Sequence, residues 1–295
     1  MVLERVPCAL CGGTLARRYC TKFGYRIVKC LRCGLVYCNP RLTAAATDQR
    51  YNAEYFRNEY LPSVRPPEGS DERQFLIDRF TPAIRLLERS GTVQGRLLEI
   101  GTGAGFFLKA AANAGWDAHG LELSSEAAAY ARETLGLDVR QIPAEEMPFD
   151  PGSFDAAAMF EVIEHLRDPV AVLRAARRAV RPGGVLVLST PNLNALSRWG
   201  LGKQWAVLSP AEHLYYFTER TLGAMLVKSG FSRVEFIREF ETWLLYETMN
   251  VRYTHAPTSR RARWFAGMVA KHGPGTYLEV QRRGYADSLL AVAVA

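Results

Sequence analysis

The sequence predicts an α/β protein, a mostly parallel sheet flanked by helices and preceded by a small cysteine-bearing module. Three observations carry this expectation. From residue 96 onward, short apolar runs alternate with amphipathic stretches, the pattern that winds a parallel sheet through right-handed crossovers. A glycine-rich turn, Gly101-Thr102-Gly103-Ala104-Gly105, follows the first of those runs. Two Cys-x-x-Cys-Gly pairs stand near the N-terminus. The 295 residues are 48% apolar and 23% charged, which excludes a disordered or fibrous chain and suits one large domain with an accessory module. No apolar run approaches the roughly 18 residues of a spanning helix, so no membrane segment is expected. MVLERVPCALCGG at the start lacks a secretory apolar core, and the expected location is cytoplasmic.

The module comes first. Cys8-Ala9-Leu10-Cys11-Gly12 recurs as Cys30-Leu31-Arg32-Cys33-Gly34 after an 18-residue gap. Each unit can turn tightly enough to aim two sulfurs at one point, the glycine supplying positive φ. Cys8, Cys11, Cys30 and Cys33 are therefore expected to hold a structural zinc in a closed four-sulfur site. A segment of about 40 residues builds little core of its own, so the metal would supply folding energy. A redox pair would not account for both glycines. Cys20 and Cys38 fall outside the pattern. Leu35-Val36-Tyr37 continues as a strand and Asn39-Pro40 closes the module, giving a ribbon over 1–40. Residues 41–92 read as a helical connector, with Tyr51, Tyr55, Phe56 and Tyr60 either a lid or plain inter-domain packing.

The central pattern follows in order. Leu97–Ile100 is a buried strand, Phe106–Ala114 a helix, Ala118–Leu123 a strand and Ser124–Leu135 a helix. Phe154–Phe160 is the next strand, Pro169–Val180 a helix capped by Asp168, and Val185–Ser189 a further strand. Ligands of such sheets bind beyond the carboxyl ends of the strands. The glycine turn is neither a dinucleotide fingerprint, which needs glycine where Phe106 stands, nor a P-loop, which needs Gly-Lys-Ser/Thr. A ligand without pyrophosphate is expected. Glu122 ends the second strand, where a carboxylate can accept from both hydroxyls of a ribose.

These segments resemble the class I S-adenosylmethionine-dependent methyltransferases. The resemblance rests on EIGTGAGF (99–106), LELS (121–124), AEEMPF (144–149), FDAAAMFEVIEHL (154–166) and RPGGVLVLSTPN (181–192), in standard order and spacing. It implies a Rossmann-like seven-stranded sheet over 93–295 and S-adenosyl-L-methionine as cofactor. Glu99, Gly101, Thr102, Gly103 and Gly105 would line the methionine and sugar portions, and Glu122 with Leu123 the ribose side. Ala144 and Glu145 would sit by the adenine, and Phe160 would close over the cofactor. It also implies antiparallel C-terminal strands, for which Phe231–Ile237 and Leu289–Ala295 fit, with a Thr218-capped helix ended by Gly230. Insertions are expected at about 192–216, a loop carrying Trp199, Lys203, Trp205 and His213, and at about 240–284. In the latter, Trp264, Phe265, Met268 and Val269 read as a helix's buried face.

Methyl transfer needs alignment, exclusion of water and, for some acceptors, a base. Glu161, Glu164 and His165 would share one face of any helix beginning where the strand ending at Phe160 stops, and His213 comes from the insertion. These four are the candidate catalytic residues. They are expected either to hold Mg²⁺ or a similar ion against a hydroxyl, or to offer His165 or His213 as base. The EVIEH segment resembles two metal-using families, the ubiquinone-pathway O-methyltransferases and the small-RNA 2′-O-methyltransferases. The cysteine module resembles one attached to bacterial methyltransferases of sugar and secondary-metabolite pathways. Ser189-Thr190-Pro191-Asn192 departs from the clamp of enzymes that methylate exocyclic base amines. A small-molecule acceptor with a hydroxyl or carbon nucleophile is the leading expectation. An RNA acceptor is the alternative: net charge is +7, with seven Lys/Arg against Glu4 in 1–35 and seven against Glu279 in 250–286, and basic ends could meet phosphates. A non-catalytic interaction protein is the third reading, disfavoured by the intact glycine turn and Glu122.

Overall fold

The computed structural model describes residues 2–48, 72–90, 94–238 and 259–295. The N-terminal ribbon contains β1 (Leu3–Glu4), β2 (Ala16–Lys22), β3 (Tyr25–Cys30), β4 (Val36–Cys38) and β5 (Arg41–Leu42). Helices α1 (Ala44–Asp48), α2 (Glu72–Asp78) and α3 (Thr81–Arg89) follow. The aromatic cluster Tyr51–Tyr60 expected in this connector lies outside the described residues. The central unit runs β6 (Arg96–Ile100), α4 (Phe106–Asn113), β7 (Asp117–Glu122), α5 (Ser125–Leu135), β8 (Asp138–Gln141), β9 (Phe154–Phe160), α6 (Pro169–Ala179) and β10 (Val180–Pro191). Beyond it come α7 (Leu196–Leu201), β11 (Tyr215–Tyr216), α8 (Glu219–Lys228), β12 (Arg233–Phe236), α9 (Arg260–Arg282) and β13 (Ser288–Val294).

The main sheet has seven strands in the order β8-β7-β6-β9-β10-β13-β12. Pairings from β8 through β10 are parallel, and β13 runs antiparallel to both β10 and β12. Only β13 is reversed, because β12 opposes it and so runs with the rest. Central strands are covered on both faces, which is why they read as continuous apolar runs: Ala156, Ala157, Ala158 and Met159 of β9 are all fully buried. One face, with Leu97, Ala156, Val187 and Val292, packs against α2 to α5. The other, with Leu98, Ala157, Leu186 and Ala291, packs against α6, α8 and the ribbon.

Local chemistry sets the helix ends. Asp168 accepts from Ala171 N at 3.0 Å ahead of Pro169, and Ser124 accepts from Ala127 N at 3.3 Å. Thr218 and Thr221 cap α8 reciprocally. Three expectations change. The edge strand β8 was not anticipated, since only Val139 of its four residues is buried. The insertion at 192–216 is structured by α7, a 3₁₀ turn at Gly202–Gln204 and β11. Trp264 is 60% exposed, whereas Phe265, Met268 and Val269 do face the core as expected and Ala262 joins them, with the Phe265 ring contact made possible by Gly200 of α7.

The ribbon is a layer rather than an appendage. Its strands join β11 in a four-stranded sheet ordered β11-β4-β3-β2. One face, with Val28, Cys30, Leu35, Tyr37 and Tyr215, enters the core beside the main sheet. The opposite face, with Ile27, Val36, Cys38 and Tyr216, packs on Leu201, Trp205 and Phe265. Arg41, only 8% exposed, pairs with Glu4 and donates to the Arg167 carbonyl at 2.9 Å, fixing the ribbon's exit. A module of this size thus borrows its core from the larger unit.

Gly105 caps α4 with φ of 87°, and a Cβ there would lie 2.8 Å from Leu137 and 3.0 Å from Ala131. Gly105→Ala is expected to destabilise the fold by about 2 kcal/mol or more, from left-handed strain and overpacking together. Urea unfolding checks this, and an unshifted midpoint would show that the turn relaxes freely.

Candidate active site

The carboxyl ends of β6, β7, β9 and β10 converge on one edge of the sheet. The turn after β6 is fixed by Gly101 and Thr102 amides that both donate to the Leu121 carbonyl, at 2.8 and 3.0 Å. Gly101, Gly103 and Gly105 all have positive φ, which explains the residue type. Two of these glycines also face protein: a Cβ on Gly101 would sit 2.5 Å from Val162 and one on Gly105 would meet Leu137. Thr102 turns inward, its hydroxyl 3.3 Å from the Leu121 carbonyl, in space left by Gly120 of β7. The sequence reading missed that second glycine; its signal was a glycine inside a strand.

Glu122 spans the turn. Its Oε2 accepts from Gly103 N at 2.7 Å and its Oε1 from Ser124 N at 2.8 Å. Each oxygen retains a lone pair for a further donor. Burial raises its pKa despite those amide donors. Glu99, 4% exposed, is held well above the ordinary carboxylate range by burial and by the charge of Glu122. Leu123, next in sequence, is 56% exposed. Ala144 and Glu145 form a 3₁₀ turn, with Ala144 against the core and Glu145 exposed. Phe160 ends β9 with its ring 4.7 Å from Phe107 and 5.9 Å from Phe80. Phe80, between α2 and α3, was not anticipated, and it draws the connector over this edge.

The catalytic candidates lie just beyond β9, but not on a helix. Glu161 has φ of 54°, a left-handed conformation that stops helical continuation, and Val162–Asp168 is a turn. The turn nevertheless gathers Glu164 and His165 with His213, their ligand atoms all within 4.8 Å of one another. Glu161 is not one of those three ligands but lies beside Glu164, and it accepts from Ser189 Oγ at 2.8 Å. Burial pushes its carboxyl up to about 7 against the pull of the Ser189 and Ser288 hydroxyls. Glu164 is 1% exposed and accepts from Thr190 Oγ1 at 2.9 Å, whereas its Oε1 has no hydrogen-bond partner. Burial and neighbouring Glu161 hold its pKa well above the usual value. Ser189 and Thr190 therefore serve as hydroxyl partners to the two acids.

His165 Nδ1 lies 3.1 Å from the Glu212 carbonyl and His213 Nδ1 2.8 Å from the Val207 carbonyl. A carbonyl only accepts, so each ring donates through Nδ1 and turns a lone pair outward at Nε2. The rings meet edge to face at 4.7 Å. Burial and the neighbouring His213 push His165 down to about 3, and burial pushes His213 down to about 4. Imidazoles lowered this far hold their lone pairs free of protons at neutral pH, as ligation requires. Two imidazole nitrogens and a carboxylate also suit a first-row transition ion better than Mg²⁺, which prefers all-oxygen ligands. The magnesium expectation is thus not supported.

The four ribbon cysteines meet as expected. Their sulfurs all lie within 4.8 Å, with Cys8 to Cys33 at 3.4 Å and Cys11 to Cys30 at 3.5 Å. Sulfurs about 2.3 Å from a tetrahedral ion would be roughly 3.8 Å apart. Gly12 and Gly34, at φ of 72° and 81°, return their amides to the Cys8 and Cys30 carbonyls. Backbone donors bring Cys30 down to about 7 against its burial.

Comparison with known proteins agrees with this geometry. The chain is 39% identical over 113 residues to a ubiquinone biosynthesis O-methyltransferase of Pseudomonas aeruginosa, covering 36% of this chain and 49% of that protein. It thus spans about half the length of the curated relatives it matches. An S-adenosylmethionine-dependent methyltransferase of Archaeoglobus fulgidus shares the fold at TM-score 0.53 and 18% identity, covering 81% of this chain and all 100% of that one. Geranyl diphosphate C-methyltransferase from Streptomyces coelicolor does so at 0.52 and 18%, over 86% and 99% of the two chains. The model of the family described as "Methyltransferase domain" matches residues 72–235. Since that stretch is more than half of the chain and contains both the glycine turn and the Glu161–His213 cluster, this protein belongs to the methyltransferase domain family.

Proposed function

We propose that this chain is an S-adenosyl-L-methionine-dependent methyltransferase acting on a small-molecule acceptor, through a hydroxyl or carbon nucleophile, in a biosynthetic pathway. The observation that carries the reading is the tie of Glu122 to Gly103 and Ser124 across the glycine turn. It leaves a fixed carboxylate with spare lone pairs where a ribose would lie. Glu99, Gly101, Thr102 and Gly105 would line the same turn around the cofactor, with Leu123, Ala144, Glu145 and Phe160 completing its site. Bound there, the cofactor supplies an electrophilic methyl group on a sulfonium. The chain's residues align an acceptor against it and exclude water. Glu161, oriented by the Ser189 hydroxyl beside Glu164, would take the acceptor's proton as it reacts. The O-methyltransferase name of the Pseudomonas aeruginosa relative favours a hydroxyl acceptor. An RNA acceptor remains the alternative, and salt dependence separates the two, since phosphate contacts weaken steeply with ionic strength.

The same reading assigns two metal positions. Cys8, Cys11, Cys30 and Cys33 would hold a structural zinc, making 1–40 a ribbon ahead of the connector at 41–92 and the catalytic domain at 93–295. Glu164, His165 and His213 would hold a divalent transition ion against the acceptor, lowering the pKa of a bound hydroxyl. Their Nδ1–H donation to carbonyls is the outer-shell arrangement usual for histidine ligands. Among the described residues no helix is long and apolar enough to cross a membrane.

Four outcomes are expected. Isothermal calorimetry with S-adenosylhomocysteine should show Glu122→Ala weakening affinity by about tenfold or more. Glu164→Gln combined with His165→Ala should bind it normally yet methylate no member of a hydroxyl-acceptor panel; tight binding by the Glu122 variant would sink the cofactor assignment. Atomic emission of purified protein should find zinc that Cys11→Ser and Cys33→Ser lose. In metal-free protein the histidines, lowered from 6.5 to about 3 and 4, contribute stability that is intact above pH 6.5 and lost as pH falls toward 4 and 3. The raised carboxyl of Glu161 acts oppositely, its contribution being lost as pH rises from 4.5 through about 7. Replacing His165 and His213 by Gln should flatten the fall in Tm below pH 6.5, and an unchanged acid limb would count against the buried neutral rings.

A further inference from the structure

We propose that the four-cysteine ribbon is a positioning element for the catalytic cluster, fixing His213 against Glu164 through β4 and through two basic side chains of α8. The proposal rests on the role given above to Glu164, His165 and His213. The main chain after His213 is bonded on both sides. On one side, Leu214 and Tyr215 amides donate to the Glu164 carbonyl at 2.8 and 3.2 Å. On the other, Cys38 N donates to the Leu214 carbonyl at 2.9 Å, and Tyr215 and Tyr216 pair with Tyr37 and Val36 of β4. Cys38 Sγ adds contacts with the carbonyls of His213 at 3.4 Å and Pro210 at 3.5 Å. The backbone that carries His213 is thus a filling between the Glu164 turn and the ribbon.

A strand of three residues has little order of its own. β4 takes its order from β3 and from the second knuckle, which ends at Gly34, two residues before it. That knuckle and the first are both held by α8, the helix that follows β11. Arg220 donates to the Cys33 carbonyl at 2.9 Å and passes over Gly34, where a Cβ would collide with it. At the far end Lys228 donates to the Leu10 carbonyl at 2.7 Å and the Ala9 carbonyl at 3.3 Å. The Tyr37 side chain is fully buried in the same core cluster as Cys8 and Cys30. Tyr37 therefore has its ring at the cysteine site and its backbone on β11. The Glu122 tie, by contrast, closes within β6, β7 and the start of α5. Loosening the ribbon should disturb the acceptor side and leave the cofactor side intact. A ribbon that merely stabilises the fold would loosen both.

Hydrogen exchange separates these cases without a known acceptor. The full chain is compared in zinc-loaded form, after chelation, and as Arg220→Ala/Lys228→Ala; the double variant keeps the test open if chelation unfolds the protein. Amides of residues 205–217 should exchange about tenfold faster in both altered forms, and the imidazole resonances of His165 and His213 should move. Amides of residues 97–124 and calorimetric affinity for S-adenosylhomocysteine should stay within about twofold of the starting protein, one half of a 0.8 kcal/mol span. Arg220→Lys with Lys228→Arg should restore protection. Unchanged exchange across 205–217 in the double variant would overturn the proposal, as would equal loosening of 97–124. Starting protein that fails to bind S-adenosylhomocysteine would instead sink the cofactor reading, with the exchange pattern still deciding this one.

Discussion

Main-chain pairing between Val36–Tyr37 and Tyr215–Tyr216 covers the outer edge of the ribbon sheet and gives the segment after His213 a strand partner. Unpaired, β4 would present bare amides and carbonyls at an edge, and β11 would be two residues of loop. Paired, they complete a sheet whose faces are both buried, one toward the main sheet and one toward α7 and α9. Tyr215 and Tyr216 point to opposite faces and contribute to both cores, as strand alternation requires. The position of His213 and the bonds to Glu164 follow from this one junction.

A second constraint acts on the cofactor side. Glu99 and Glu122 are neighbouring carboxyls in a poorly solvated corner, and burial raises the pKa of both. Backbone amides of Gly103 and Ser124 offset part of that cost for Glu122. The Glu161–Glu164 pair repeats the arrangement beyond β9, with the Ser189 and Thr190 hydroxyls as donors. Each of these two places therefore holds two acids close together, a configuration that a nearby cation would relieve.

Much of this was legible in the sequence because local rules and tertiary context agreed. Asp168, Ser124 and Thr218 cap helices where capping chemistry places them, and β9 matches its apolar run to the residue. The cysteine pairs encode their own convergence. Failures have physical causes. β8 is a short edge strand with charged neighbours and carries almost no periodic signal. Glu161, Glu164 and His165 looked like one helix face, but a left-handed residue at Glu161 replaced the helix by a turn. Spacing alone could not tell that Trp264 faces solvent while Phe265 docks on Gly200. Nor does any local pattern announce that a ribbon strand will find its partner in the second half of the chain.

That last separation has a consequence for synthesis. Cys38 and His213 are 175 positions apart, and at about 5–20 residues per second a ribosome needs roughly 10 to 35 s to deliver the later one. Through that interval the nascent ribbon carries an open strand edge and two uncovered apolar faces. Early capture of an ion by its cysteines would hold the knuckles in shape while the rest of the chain is still being made.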